Sequence, residues 1–172
     1  MQNFYKKYKK INGKNSGSSV LELLFYIAFF AMLTLVTINA MLTMAKSFKE
    51  TALQAELMQG GSIMERISRE VRASYDVGNI SVSDLTLNTK DDLGVNKTVR
   101  FLLSSDDIQL WENGTLTGNL NTPNIDIVGL SFTQITTSKG KAVKIVLTIK
   151  SANDLLNREE NFYDTVVLRG AY

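Results

Sequence analysis

The chain has 172 residues, 44% of them hydrophobic and 21% charged, with neither Cys nor His. Without Cys there is no disulfide, thiolate nucleophile or thiolate metal site, and without His no imidazole base and no ordinary catalytic zinc site. An enzyme built on this chain would have to work through carboxylates, Ser, Lys or Tyr. The net charge of +2 conceals an asymmetry: residues 1–17 carry Lys6, Lys7, Lys9, Lys10 and Lys14 and no acid, whereas the remainder holds more acidic than basic residues. A nucleic-acid binder needs basic residues spread over a folded face with aromatics between them. Residues 75–172 do not offer that, so no nucleic-acid contact is expected.

Leu23 to Ala45 is a run of 23 residues without a charge. As a helix it measures about 35 Å, enough to cross a hydrocarbon core of about 30 Å. The lysines ahead of it place the N-terminus in the cytoplasm and everything past Lys46 outside, by the positive-inside rule. The run exceeds the 7–15 residues usual for the apolar part of a signal peptide, and only Thr43-Met44-Ala45 approaches a cleavage site after it. One residue fits neither a generic anchor nor a signal peptide. Glu22 stands at the head of the apolar run, where a carboxylate either snorkels to headgroups and the positive helix N-terminus or has a partner and a function.

The stretch Lys14-Asn15-Ser16-Gly17-Ser18-Ser19-Val20-Leu21-Glu22-Leu23-Leu24 resembles the cleavage and methylation segment of type IV prepilins and pseudopilins. That family has a basic leader ending in Gly, a Glu as fifth mature residue and a long apolar helix. The resemblance implies cleavage after Gly17 by a prepilin peptidase, N-methylation of Ser18, and pairing of Glu22 with the N-terminal ammonium of a neighbouring subunit. Such a pair compensates two charges that are each costly in an apolar filament core, and sets subunit register. The chain departs from the family in having Ser18 where Phe or Met is common, and in lacking the Pro that many pilins carry near the position of Asn39.

Past Lys46 the helical period continues, with Leu53, Leu57, Met64, Ile67 and Val71 on one face. Glu65 with Arg69, and Arg66 with Glu70, are spaced four apart for support of the exposed side. Gly60-Gly61 interrupts the pattern, predicting a kink or hinge, with a close helix contact as the alternative. The phrase Ile63 to Arg72 also resembles the end of the long helix in J-type pseudopilins.

After Tyr75 to Asn79 the period shifts from about 3.6 to 2. Strands are predicted at Asp84–Asn88, Thr98–Leu103, Ile108–Glu112, Val128–Thr136, Ala142–Lys150 and Phe162–Leu168. Turns are predicted at Ser104 to Asp107, at Asn113-Gly114 and at Thr137 to Gly140, and Pro123 falls in an Asn119–Asn124 loop. The ending Phe162 to Gly170 resembles the last strand of minor pilins and J-type pseudopilins. The predicted organisation is a leader over 1–17, a long helix over 18–74 with its transmembrane part at 23–45, and a C-terminal domain over 75–172. The fold class is α+β and pilin-like, one antiparallel sheet needing the preceding helix as its cover.

Asp91-Asp92 and Asp106-Asp107 are the pairs a Ca²⁺ loop would draw on, as in some pseudopilins. The Asp-x-Asp-x-Asp-Gly spacing is missing, so they read as turn acids and no cofactor is expected. Asn79, Asn96 and Asn113 head glycosylation-type triplets that also arise by chance. Trp111 reads as strand packing or as an anchor for a protein contact. No Gly-rich phosphate loop and no Ser-x-x-Lys motif is present.

The resemblance therefore implies a non-enzymatic minor pilin or pseudopilin held in the inner membrane. Its partners would be the lipid bilayer, prepilin peptidase, an inner-membrane assembly platform and other pilin subunits, and its destination a type IV pilus or a secretion or DNA-uptake pseudopilus. The alternatives are a bitopic envelope adaptor whose outward β-rich domain binds protein, and a membrane-anchored enzyme using carboxylates.

Overall fold

A computed structural model describes residues 20–138 and 140–169; Gly17 and Ser18 lie outside them. Two helices come first, α1 (Val20–Leu57) and α2 (Gln59–Ala73). Eight strands follow: β1 (Asp76–Ile80), β2 (Asp84–Lys90), β3 (Asn96–Ser104), β4 (Asp107–Glu112), β5 (Thr115–Asn119), β6 (Ile125–Thr137), β7 (Gly140–Ser151) and β8 (Glu159–Val167). The layout is α+β, with a long apolar N-terminal helix and antiparallel strands. The chain divides into two compact units at Ser47/Phe48, inside α1.

The second unit holds the core. Ile63, Met64, Ile67 and Val71 project from one face of α2, at the predicted helical spacing, into a single buried cluster. Sheet residues such as Leu85, Leu87, Val99, Phe101, Ile145, Leu147 and Ile149 complete it. From Asp84 to Thr89, β2 alternates between partly buried and buried positions, the period of 2 expected of a strand with one face on a core. Each Leu, Ile or Phe fully buried there contributes about 1.5–3 kcal/mol relative to exposure, so this cluster dominates what holds the unit together.

The strands form two sheets rather than the single sheet expected from the sequence. One is a five-stranded meander, β1-β2-β3-β4-β5, and the other a three-stranded meander, β6-β7-β8. The chain does not pair β6 with β5. Instead, the turns of the first sheet reach β6: the Phe132 amide donates to the Val82 carbonyl at 2.9 Å, and the Ile127 amide to the Asp106 carbonyl at 2.9 Å. Backbone groups on a strand edge that would otherwise need water are satisfied there by loops.

All six predicted strands are present, lengthened or shifted by a few residues, and β1 and β5 are additions. Both new strands are short, carry register shifts where they pair with their neighbours, and show no clean alternation of burial. They therefore leave little periodic signal. Two predicted turns have the backbone that hairpins of this hand require, with positive φ at Ser105 (52°) and Asp106 (67°) and at Asn113 (50°) and Gly114 (79°).

The Gly60-Gly61 prediction resolves toward its alternative. The helix is interrupted two residues before Gly60, at Met58, whose αR backbone lacks a side-chain cap. The Gly61 amide donates to the Met58 carbonyl at 3.1 Å across that step. Gly60 is buried against β8, and a Cβ there would overlap the Phe162 ring; Gly61 faces open space. Of the two predicted helix ion pairs, Arg66–Glu70 is present at 3.0 Å.

Candidate functional site

Two regions carry chemistry that the core does not explain. The first is the apolar part of α1. Every residue from Val20 to Ala52 is exposed, including Phe25, Phe29, Phe30, Leu33 and Leu42. Its length and composition suit it to crossing a membrane.

The polar side chains inside this stretch are largely turned inward on their own helix. The hydroxyls of Thr34, Thr37 and Thr43 donate to the carbonyls of Phe30, Leu33 and Asn39 at 2.8, 2.8 and 2.9 Å. Hydroxyls satisfied four residues back impose no demand on a surrounding apolar medium, where an unmet group would cost several kcal/mol. Asn39 remains as an exposed amide able to bond to a second helix.

Glu22, the predicted assembly residue, sits in the first turn of α1. It is exposed, and its Oε1 accepts a 3.3 Å hydrogen bond from the Tyr26 hydroxyl one turn on. The bond uses one of the roughly four lone-pair sites of the carboxylate and supplies no positive charge, so the anion remains open to a cationic partner. The spacing of four that brings Tyr26 to Glu22 is legible in the sequence.

The second region is a set of polar fastenings along the second unit's helical segment, between Glu50 and Ser68. Glu50 accepts from both terminal nitrogens of Arg158, at 3.0 and 3.3 Å. Glu56 accepts from the Ser151 hydroxyl at 2.5 Å and the Asn153 amide at 3.0 Å. The Ser68 hydroxyl donates to Asp164 at 2.5 Å, beside an open groove lined by Met64, Arg72 and Phe162. Each pair joins a helix residue to β7, to β8 or to the β7–β8 loop.

Within that loop the Asp154 carboxylate accepts from the amides of Leu156 and Arg158, both at 3.1 Å, and from Arg158 Nε at 2.8 Å. The Arg158 hydrogen bond is the main reason that the Asp154 carboxyl is lowered to about 2. Arg158 is raised in turn, first by Asp154 and then by Glu50.

Of the acidic pairs, Asp91 caps the backbone of its own turn, whereas Asp107 opens β4 and bonds side chains. Asp91 Oδ1 accepts from the amides of Leu93 and Val95, and Asp107 accepts from the side chains of Asn119 and Asn121 at 2.7 Å each. Among the described residues no group of three or more acidic side chains is placed to hold a metal ion. Trp111 is partly buried, its indole N–H donating to Gln109 at 3.2 Å. Comparison with family models, curated proteins and solved structures finds no match.

Proposed function

We propose that the chain is a non-enzymatic, membrane-held subunit of a filament of the type IV pilin kind, a minor pilin or pseudopilin. It would be cut after Gly17, methylated on Ser18, and drawn from the inner membrane into a pilus or pseudopilus. The observation that carries this reading is Glu22, a carboxylate at the head of a long apolar helix that is exposed among the described residues.

A lone anchor needs no such carboxylate. A helix destined to leave lipid for a bundle of identical or related helices gains register from it, because the amine of a neighbouring Ser18 is the one cation that cleavage would create nearby. The inward-bonded threonines suit both environments, lipid first and packed helices afterwards. The compact α+β unit would then form the outer face of the filament.

Replacing Glu22 separates this reading from a bitopic adaptor. Glu22→Val should insert into the membrane at normal abundance in either case. In a filament subunit it strands an ammonium in an apolar core. Loss of one partner of a buried pair costs about 3–5 kcal/mol, more than about a hundredfold in the assembly equilibrium. Co-purification with the other filament subunits should therefore collapse, and recovery of the variant at wild-type yield would overturn the pairing mechanism.

A further inference from the structure

Five polar side chains stand in the uncharged run from Leu23 to Ala45: Tyr26, Thr34, Thr37, Asn39 and Thr43. Four of them are satisfied on their own helix. The Tyr26 hydroxyl bonds Glu22, and the three threonine hydroxyls bond carbonyls one turn back. Asn39 is the exception: among the described residues its side chain is exposed and makes no hydrogen bond. It stands six residues before Ala45, about 9 Å inside the end of the run. A short amide cannot reach the interface from there as a Lys or Arg would. In hydrocarbon its two N–H donors and its carbonyl oxygen are costly unless another protein group meets them.

We propose that Asn39 pairs with Asn39 of a second copy of this chain, joining two membrane helices side by side in the same direction while the subunits are held in the membrane. The inference rests on the reading of residues 23–45 as a membrane span. A foreign helix would need its own polar group at this depth and on the facing side. A second copy brings one at the same depth, because the basic residues ahead of the run orient every copy alike. The amide is also complementary to itself: each Nδ2 donates to the opposite Oδ1 across a two-fold axis, so both groups are met at once. The threonines cannot compete as a contact, since their hydroxyls are already spent on their own helix.

The surroundings of Asn39 suit such a pair. Ala28, Met32, Leu35, Asn39 and Leu42 follow one another at alternating steps of four and three, the spacing along which two parallel helices meet in a left-handed crossing. All five are exposed. The next position on the seam is Lys46, past the end of the run, so the two like charges are not brought together in hydrocarbon. Glu22 lies about 100° round the helix from Asn39, which leaves its carboxylate free for a different partner.

Because the chain has no Cys, single cysteines report which faces meet. The full chain is expressed alone, in the membrane of a bacterium without prepilin peptidase or other pilin subunits, so the result does not depend on filament assembly. On oxidation with copper phenanthroline, Leu35→Cys and Leu42→Cys should give disulfide-linked dimers, and Met41→Cys, turned about 160° from Asn39, should not. In the Leu35→Cys chain, Asn39→Val should lower association about five- to thirtyfold, the range that such amide bonds show between helices in lipid. Asn39→Gln, which keeps the amide, should retain most of it. Equal cross-linking at 35 and 41, an undiminished dimer in Asn39→Val, or monomers at every expression level would overturn the proposal while leaving the span intact. A cross-link lost with Glu22→Val rather than with Asn39→Val would assign the contact to the carboxylate and overturn it as well. Release of the chain from membranes by alkaline carbonate would remove the span, and the proposal with it.

Discussion

Phe162 of β8 lies where a side chain on Gly60 of α2 would have to go. The absence of a Cβ at Gly60 is what lets helix and strand approach there, and the next glycine, Gly61, has no such neighbour. The two glycines therefore make opposite predictions. Gly60→Ala forces the ring out of its partly buried seat, at about 1–3 kcal/mol of overpacking, against at most about 1 kcal/mol gained in helix propensity. Gly61→Ala gains the propensity alone and should stabilise by about 0.5–1 kcal/mol. Denaturant unfolding of the two variants checks the signs, and Phe162→Leu should relieve much of the Gly60→Ala penalty.

Asn121 joins the two sheets. It is 7% exposed; its Oδ1 accepts from the Ile108 amide at 3.0 Å, and its Nδ2 donates to the Ile125 carbonyl at 2.8 Å and to Asp107. Asn121→Ala leaves a buried donor and a buried acceptor without partners. The expected loss is about 2–5 kcal/mol, the desolvation cost of two such groups. Asn121→Asp restores only the acceptor and should remain well below wild type. Equilibrium unfolding measures both.

Acid should weaken the Asp154 anchor of the β7–β8 loop only below the range in which ordinary carboxylates protonate. Asp154 titrates at about 2 in the folded chain, below its ordinary value near 4. A lowered carboxylate contributes stability that is present above the unfolded value and is lost as pH falls through the folded one. The contribution of Asp154 should therefore be intact at pH 5 and shrink between about pH 4 and pH 2. The unfolding midpoints of wild type and Asp154→Asn should differ at pH 5 and converge toward pH 2. A difference independent of pH would contradict the Arg158 linkage.

Much of the architecture was legible because its signals are periodic. Leu53, Met64, Ile67 and Val71 announced the buried helix face, and the alternation of β2 and β7 announced strands with one side on a core. What escaped has local physical reasons. β5 is nearly all exposed and contains Gly118, so neither hydrophobic alternation nor propensity marks it. The split into two sheets depends on Val82 and Asp106 carbonyls reaching β6, backbone contacts that no side-chain pattern encodes. The role of Gly60 depends on Phe162, about a hundred residues away in the chain, and long-range contact of that sort is invisible to a local window. At the candidate site, Glu22 stood out as a charge in an apolar run, whereas the Glu50–Arg158–Asp154 network required the fold to bring it together.

The account turns on whether the chain is handled as a prepilin. In the native host, with the rest of the filament machinery present, intact-mass and N-terminal fragment analysis of the membrane-extracted protein reads this directly. The account predicts a chain that begins at Ser18 with one added methyl group on its amine. A chain that still carries the lysines of residues 1–17, or one cut near Ala45, would contradict it.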